Sequence, residues 1–405
     1  MADHTVNSLG GAEFTTIEAA LASPLVVNGD RVIVTGGGPY TPPGHVVINK
    51  SITLMSDPAL PVKPSIYTNY SSWTLCCIQM AAVGAVLDGF IIDNHLYGTR
   101  QGHLVGDYGG AIAGWTVRNC VLNNCRKGIV LIGQNNTITR NEIYNTYGDC
   151  IDATYGNPAG STITYNILHA EHMSLKNKPA GVAYACGGAG GETTIAYNYC
   201  WACRTFLDFE TSGSTNHTIL VDHNTIDYWI GKTYPTDYAD AQQNGILWWA
   251  SGTDFDGSKF DIRNNIFTGL KWYAVSDTSG TWANQTTYRN NLFYHYYLRD
   301  DYWPAYQAAY EWPGARGAAG WWKTPTDFLF DHCVVGDPLY SKVGSTPDTY
   351  YNLTMGSPAA YAATDGLHIG AWQGYAPQPY TYIRVIPGFK NRLFSLSRFW
   401  PTPRA

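Results

Sequence analysis

Charged residues are scarce. They make up 14% of the 405 positions, against roughly a quarter in an average soluble domain, which excludes a charge-rich disordered chain and a coiled coil, both built on Lys and Glu. Long apolar runs are missing as well: no stretch approaches the ~20 residues that cross a bilayer, so no membrane partner is expected. The opening residues, MADHTVNSLGG, hold no basic segment followed by an apolar one, and an export signal is expected only if it has been removed. Nine cysteines are too few for a disulfide scaffold, and their odd number leaves one unpaired within the chain. Cys200 and Cys203 form a CxxC with neither a second such pair nor a histidine pair at finger spacing, so buried small side chains are expected there rather than zinc.

The net charge of −6 is unevenly spread. Residues 375–405 carry Arg384, Lys390, Arg392, Arg398 and Arg404 and no acid, which leaves −11 on residues 1–374. That body should repel nucleic acid.

What the chain has in quantity is glycine, 42 residues of it, and an internal repeat. The segments 116–122, 138–144, 163–169, 195–201, 221–227, 262–267 and 288–294 align on Asn119, Asn141, Asn166, Asn198, Asn224, Asn265 and Asn291. The spacings are 22, 25, 32, 26, 41 and 26, a base period with inserted loops, and residues 87–93 read as an earlier copy with Gly89 at the asparagine position. Each copy holds two or three short β-rich stretches and no helical period. That excludes βαβ units and leaves a solenoid of stacked coils. An asparagine at one corner of every coil can bond its amide along the stack and also tolerate a left-handed turn.

With these repeats the sequence resembles the right-handed parallel β-helix proteins, the superfamily of pectate-lyase-like enzymes and bacteriophage tailspikes. Residues 13–21, 28–34, 38–41 and 47–54 resemble the opening of such proteins, with a short helix N-capped by Thr15 or Thr16 over the first coil. Residues 337–340, 353–359 and 369–371 resemble their closing segment. The resemblance implies an all-β, single-stranded right-handed parallel β-helix. Expected units are an N-terminal cap (1–30), coils (31–298), an aromatic-rich insertion (299–331), a closing segment (332–374) and an extended basic and aromatic tail (375–405). The fold hosts lyases, hydrolases and inert binders alike, so it leaves function open.

Chemistry is expected on an outward column of the coils. Aligning the second strands puts Asp152, Tyr184, Asp208 and Trp248 in one column, with Glu210 two residues beyond Asp208. Asp152 and Asp208, two coils apart, would lie ~9–10 Å from each other, the upper end of the range for an acid and a base on either side of a glycosidic bond. Arg204, His169, Glu171, His172, Lys176 and Lys178 are candidates for a general base or for neutralising a sugar carboxylate. The candidate catalytic set is Asp152, Asp208, Glu210, Arg204, His172 and Lys176. Candidate carbohydrate contacts are Tyr184, Trp248, Trp249, Trp303, Trp312, Trp321 and Trp322, because aromatic rings bury large area at little rotamer cost. No cofactor is required. Asp149, Asp152 and Asp208 offer oxygen ligands for calcium, although no calcium-loop spacing is present.

Two functions from different classes follow. One is a virion component of a bacteriophage, a tailspike, fibre or capsid-decorating protein that binds host glycan and docks on other virion proteins, or on itself, through residues 375–405. The tail's five prolines, seven aromatics and five cations suit such docking, and the uneven cysteine count suits a reducing compartment. The other is a secreted polysaccharide lyase or glycoside hydrolase. Aromatic residues beside an acidic column suit a neutral or amine-bearing glycan better than a polyanion.

Overall fold

The computed structural model describes residues 1–36, 38–68, 74–94, 102–170, 180–184, 190–201, 203–210, 217–227, 244–248, 259–268, 273–277, 286–294, 315–316, 322–323, 329–335, 338, 353 and 357–371. Among them, strands form three sheets, of 12 (sheet A), 10 (sheet B) and 11 strands (sheet C). One coil shows the plan: Thr137–Thr139 lies in sheet A, Glu142–Thr146 in sheet B and Ile151–Ala153 in sheet C. Each pairs in parallel with its counterpart one coil on, Ile138 with Ile163, Ile143 with Leu168 and Ile151 with Val182. The chain is a parallel β-helix. Stacked strands ~4.8 Å apart let neighbouring coils satisfy one another's backbone groups, so few charges are needed.

The lumen is filled from alternate positions of each strand. Val117, Ile138, Ile163, Ile195 and Val221 line it from sheet A, Leu122, Ile143, Leu168, Cys200 and Ile226 from sheet B, and Ile129, Ile151, Val182 and Leu207 from sheet C, all buried. Each such aliphatic side chain contributes ~1.5–3 kcal/mol by leaving water. Cys200 and Cys203 are buried in this core, as small side chains filling the lumen.

The helix Ile17–Ala22 covers the first coil. Thr16 Oγ1 accepts from Ala19 N at 3.1 Å, and Ile17, Ala20 and Leu21 are buried. At its other end Lys50 Nζ donates to the carbonyls of Leu21 (2.8 Å) and Ser23 (2.7 Å), satisfying acceptors a helix terminus leaves open. At the far end, residues 357–371 lie against the later coils. Thr364 N donates to Asn264 Oδ1 and Ala371 N to Thr225 Oγ1, while Ile369 and Ala359 pack with Ile266 and Leu292. The expected insertion at 299–331 contributes to the sheets: Ala315–Arg316 pairs with sheet C and Leu329–Asp331 with sheet A. The tail, 375–405, lies outside the described residues.

The asparagine column divides its two expected tasks between adjacent residues. Asn141, Asn166, Asn198, Asn224, Asn265 and Asn291 are buried, and from Asn166 on each Oδ1 accepts both the backbone N–H and the Nδ2–H of the asparagine one coil earlier, at 2.9–3.0 Å. The left-handed turn is taken by the residue before: Arg140, Tyr165, Tyr197, His223, Asn264 and Asn290, with φ between 49° and 58°. Asn119 belongs to this second set, with φ 55°. The alignment of Asn119 with Asn141 is therefore off by one residue, because Val117 pairs with Ile138 and Cys120 takes the ladder position. Side chains at the turn stack on one another, Tyr165 on Tyr197 at 4.9 Å and Tyr197 on His223 at 5.0 Å, which offsets part of the ~1 kcal/mol strain of a non-glycine residue there.

Asn198→Ala is expected to lose about 2–4 kcal/mol in urea unfolding, since two buried donors of Asn166 and the Ile163 carbonyl lose their partner at once. A loss below ~1 kcal/mol would show the ladder to be incidental.

Candidate functional site

Sheet C carries the candidate site on its outward positions. Val130, Asp152, Ala183 and Asp208 stand in register on successive coils, alternating with the luminal residues Ile151, Val182 and Leu207. Two coils separate the aspartates, as expected. Tyr184 is corrected: it pairs with Ala153 and Phe209, points into the lumen, is fully buried and shares a 2.8 Å hydrogen bond with Thr193 Oγ1. It is not available to a ligand. Trp248 shares its register with Phe209 rather than Asp208, so it too leaves the column of the aspartates. Both differences come from a one-residue slip, which moves a strand position to the other face.

Asp152 is completely buried. Its Oδ1 accepts from Thr154 Oγ1 at 2.6 Å and from Thr154 N at 3.0 Å, and its Oδ2 meets the ammonium of Lys127. The same ammonium lies 3.5 Å from Asp149 Oδ2, donates to the Tyr155 hydroxyl at 3.1 Å and stands 4.5 Å from the centre of the Tyr155 ring. Burial pulls the Lys127 pKa down, opposed by Asp149. Sequence reasoning misses Lys127, although it immediately precedes Gly128 at the start of a second strand. It misses Tyr155 too, three residues after Asp152.

Asp208 is also buried, with its side chain 2% exposed. Arg204, half in solvent, donates to its Oδ2 at 3.1 Å, while Oδ1 has no hydrogen-bond partner among the described residues. Burial pushes the Asp208 carboxyl up to about 7, against the pull of Arg204. Glu210 follows on the same strand face, its backbone N–H bonded to the Tyr184 carbonyl at 3.0 Å. Its carboxyl is raised first by burial and then by the neighbouring Asp149 charge. The arrangement is a buried floor of Lys127, Asp152 and Asp208 with a partly exposed rim of Arg126, Asp149, Tyr155, Arg204 and Glu210.

One further buried acid is structural. Asp107 accepts from the backbone N–H groups of Ile112, Ile132 and Gly133 at 2.8–3.0 Å, closing the turn that carries the chain off sheet C; burial nevertheless raises it to about 6.

Other candidates lie elsewhere. His169 stands on sheet B, stacked between Tyr144 (4.9 Å) and Trp201 (4.5 Å) and 3.2 Å from Glu142, on a different face from the aspartates. Glu171, His172, Lys176, Lys178, Trp249, Trp303, Trp312 and Trp321 lie outside the described residues. Trp322 is described in its backbone alone, in a two-residue strand antiparallel to Ala315–Arg316. Calcium does not suit Asp149 and Asp152, because a lysine ammonium already occupies the point on which they converge. Among the described residues no three acidic, histidine or cysteine side chains group as metal ligands.

No protein-family model matches the sequence, and no curated protein matches it. Among solved structures the chain is similar to pectate lyase Pel9A, at 14% identity over 92% of this chain and 96% of that one, with a TM-score of 0.49. It is also similar to the catalytic unit of a thermostable GH87 α-1,3-glucanase from Streptomyces thermodiastaticus strain HF3-3, at 12% identity over 80% of this chain and 65% of that one, with a TM-score of 0.44. No residue role passes from either protein to this chain.

Proposed function

We propose that the chain cleaves a polysaccharide by acid–base catalysis on the outward face of sheet C. The observation that carries this reading is Asp208, a buried carboxyl raised to about 7 beside a partly exposed second carboxyl. A carboxyl that keeps its proton near neutral pH is suited to protonate a leaving glycosidic oxygen. Glu210 is the partner. It stands two residues on, just past the end of the strand Thr205–Phe209, and serves as the base that activates water against the anomeric carbon. Arg204 orients Asp208. Lys127 holds Asp149 and Asp152 in place and offsets their charge, which would otherwise raise Glu210 further.

A panel of neutral and acidic polysaccharides, assayed for new reducing ends and for the ultraviolet absorbance of unsaturated sugars, tests this. Reducing ends without the absorbance are expected. Absorbance would make the chain a lyase, and neither signal on any polymer would sink the catalytic reading. A second reading, a virion-borne binder of host glycan, is favoured by the proline-rich, aromatic and basic composition of residues 375–405; binding without cleavage in the same panel is its expected signature.

A further inference from the structure

We propose that the substrate of this face is a neutral polysaccharide, and that Tyr155 is where one of its sugar rings is seated. The inference rests on the catalytic reading of the same face and adds to it the class of glycan and a binding residue.

The charges at the site argue for the neutral class. A polyuronate brings one carboxylate per sugar and needs cations left over to meet them. Lys127 is committed to Asp152 and Asp149, and Arg204 to Asp208. Among the described residues, these two and Arg126 are three cations facing three charged acids, Asp149, Asp152 and Glu210, since Asp208 holds its proton. An incoming uronate would meet partly exposed carboxylates at the rim and, among the described residues, no surplus of positive charge to hold it.

Tyr155 supplies what a neutral sugar needs. The residue is 46% exposed, uncommon for an aromatic residue among the described part of this molecule. It stands on the turn that follows Ile151–Ala153, two coils from Asp208, so ~9–10 Å from the acid along the stack. A ring seated there is a neighbour of the one being cleaved. The tyrosine is also held still: the Lys127 ammonium lies 4.5 Å from its ring centre and donates to its hydroxyl, and Tyr108 meets it edge-to-face at 5.0 Å, itself stacked on His103 at 4.9 Å. An apolar ring fixed before the ligand arrives gives contact area at low entropic cost.

The test is calorimetric titration of the full-length Asp208→Asn protein with cellohexaose, laminarihexaose, maltohexaose and hexagalacturonate. At least one neutral hexasaccharide should bind, with a Kd that changes less than about twofold between roughly 0.05 and 0.5 M NaCl. Tyr155→Ala should weaken that binding about tenfold or more, and Tyr155→Phe by no more than about threefold, because the ring remains. Salt-sensitive binding of hexagalacturonate that ignores Tyr155→Ala overturns the proposal, as does binding of no neutral probe. The two readings separate cleanly. A wild-type protein that binds a neutral probe through Tyr155 and cleaves nothing keeps the subsite and loses the catalysis; cleavage confined to acidic polymers does the reverse.

Discussion

Asp208→Asn is expected to lower cleavage by about three orders of magnitude, the scale of a lost proton donor, and at the same time to stabilise the protein above neutral pH. The two effects share one cause. In the folded chain the carboxyl titrates at about 7 rather than at 3.8, so between these values the folded state holds a proton that the unfolded state has released. Folding is therefore favoured as pH falls through that window and penalised as pH rises, with the full penalty present above about 7. Asparagine carries no charge at any pH. The variant should match the wild type below about pH 4 and exceed it at pH 8 by at most about 4 kcal/mol, since each tenfold difference in proton affinity between the folded and unfolded chain amounts to ~1.4 kcal/mol, less whatever Arg204 loses with its partner. Melting temperatures between about pH 4 and pH 8 give the answer. A variant that is inactive yet equally stable throughout would mean that Asp208 is solvated in the wild type and is no buried acid.

Lys127→Met is expected to cost about 3–5 kcal/mol, because it strands the Asp152 carboxylate in a site with no access to water. The companion double substitution Lys127→Met with Asp152→Leu should recover most of the loss, since an apolar pair of similar volume needs no compensation. Chemical unfolding of the two proteins makes the comparison. If Lys127→Met alone is neutral, Asp152 holds a proton and the ion pair is not what organises the floor of the site.

Much of the architecture is legible in the repeat. Asparagines at intervals of 22 to 41 residues, each set between short β-rich stretches, require coils with variable loops, and the register of sheets A and B follows from them except between Asn119 and Asn141, where it is off by one. Sheet C is harder. Its strands have no shared marker residue, so the sequence aligns Tyr184 with Asp152 where the backbone pairs it with Ala153. Lys127 escapes for the same reason: a lysine at a strand start looks solvated until the next coil brings Asp149 and Asp152 over it. Asp208 and Glu210 are legible because their spacing of two puts them on one face whatever the register. Asp107 is invisible, as its role depends on three backbone N–H groups from loops 5 to 26 residues away.

The asparagine ladder has a direction. Every Oδ1 from Asn166 to Asn291 accepts from the coil before it, and every amide from Asn141 to Asn265 donates to the coil after. Each coil thus presents one kind of edge below and the complementary kind above, like identical bricks with a stud and a socket. A coil duplicated or lost beyond Asn224 would let the ladder close again without altering its neighbours. The length of the outward face is consequently free to change at its C-terminal end through gain or loss of whole repeats, while the acid cluster on the central coils is left untouched.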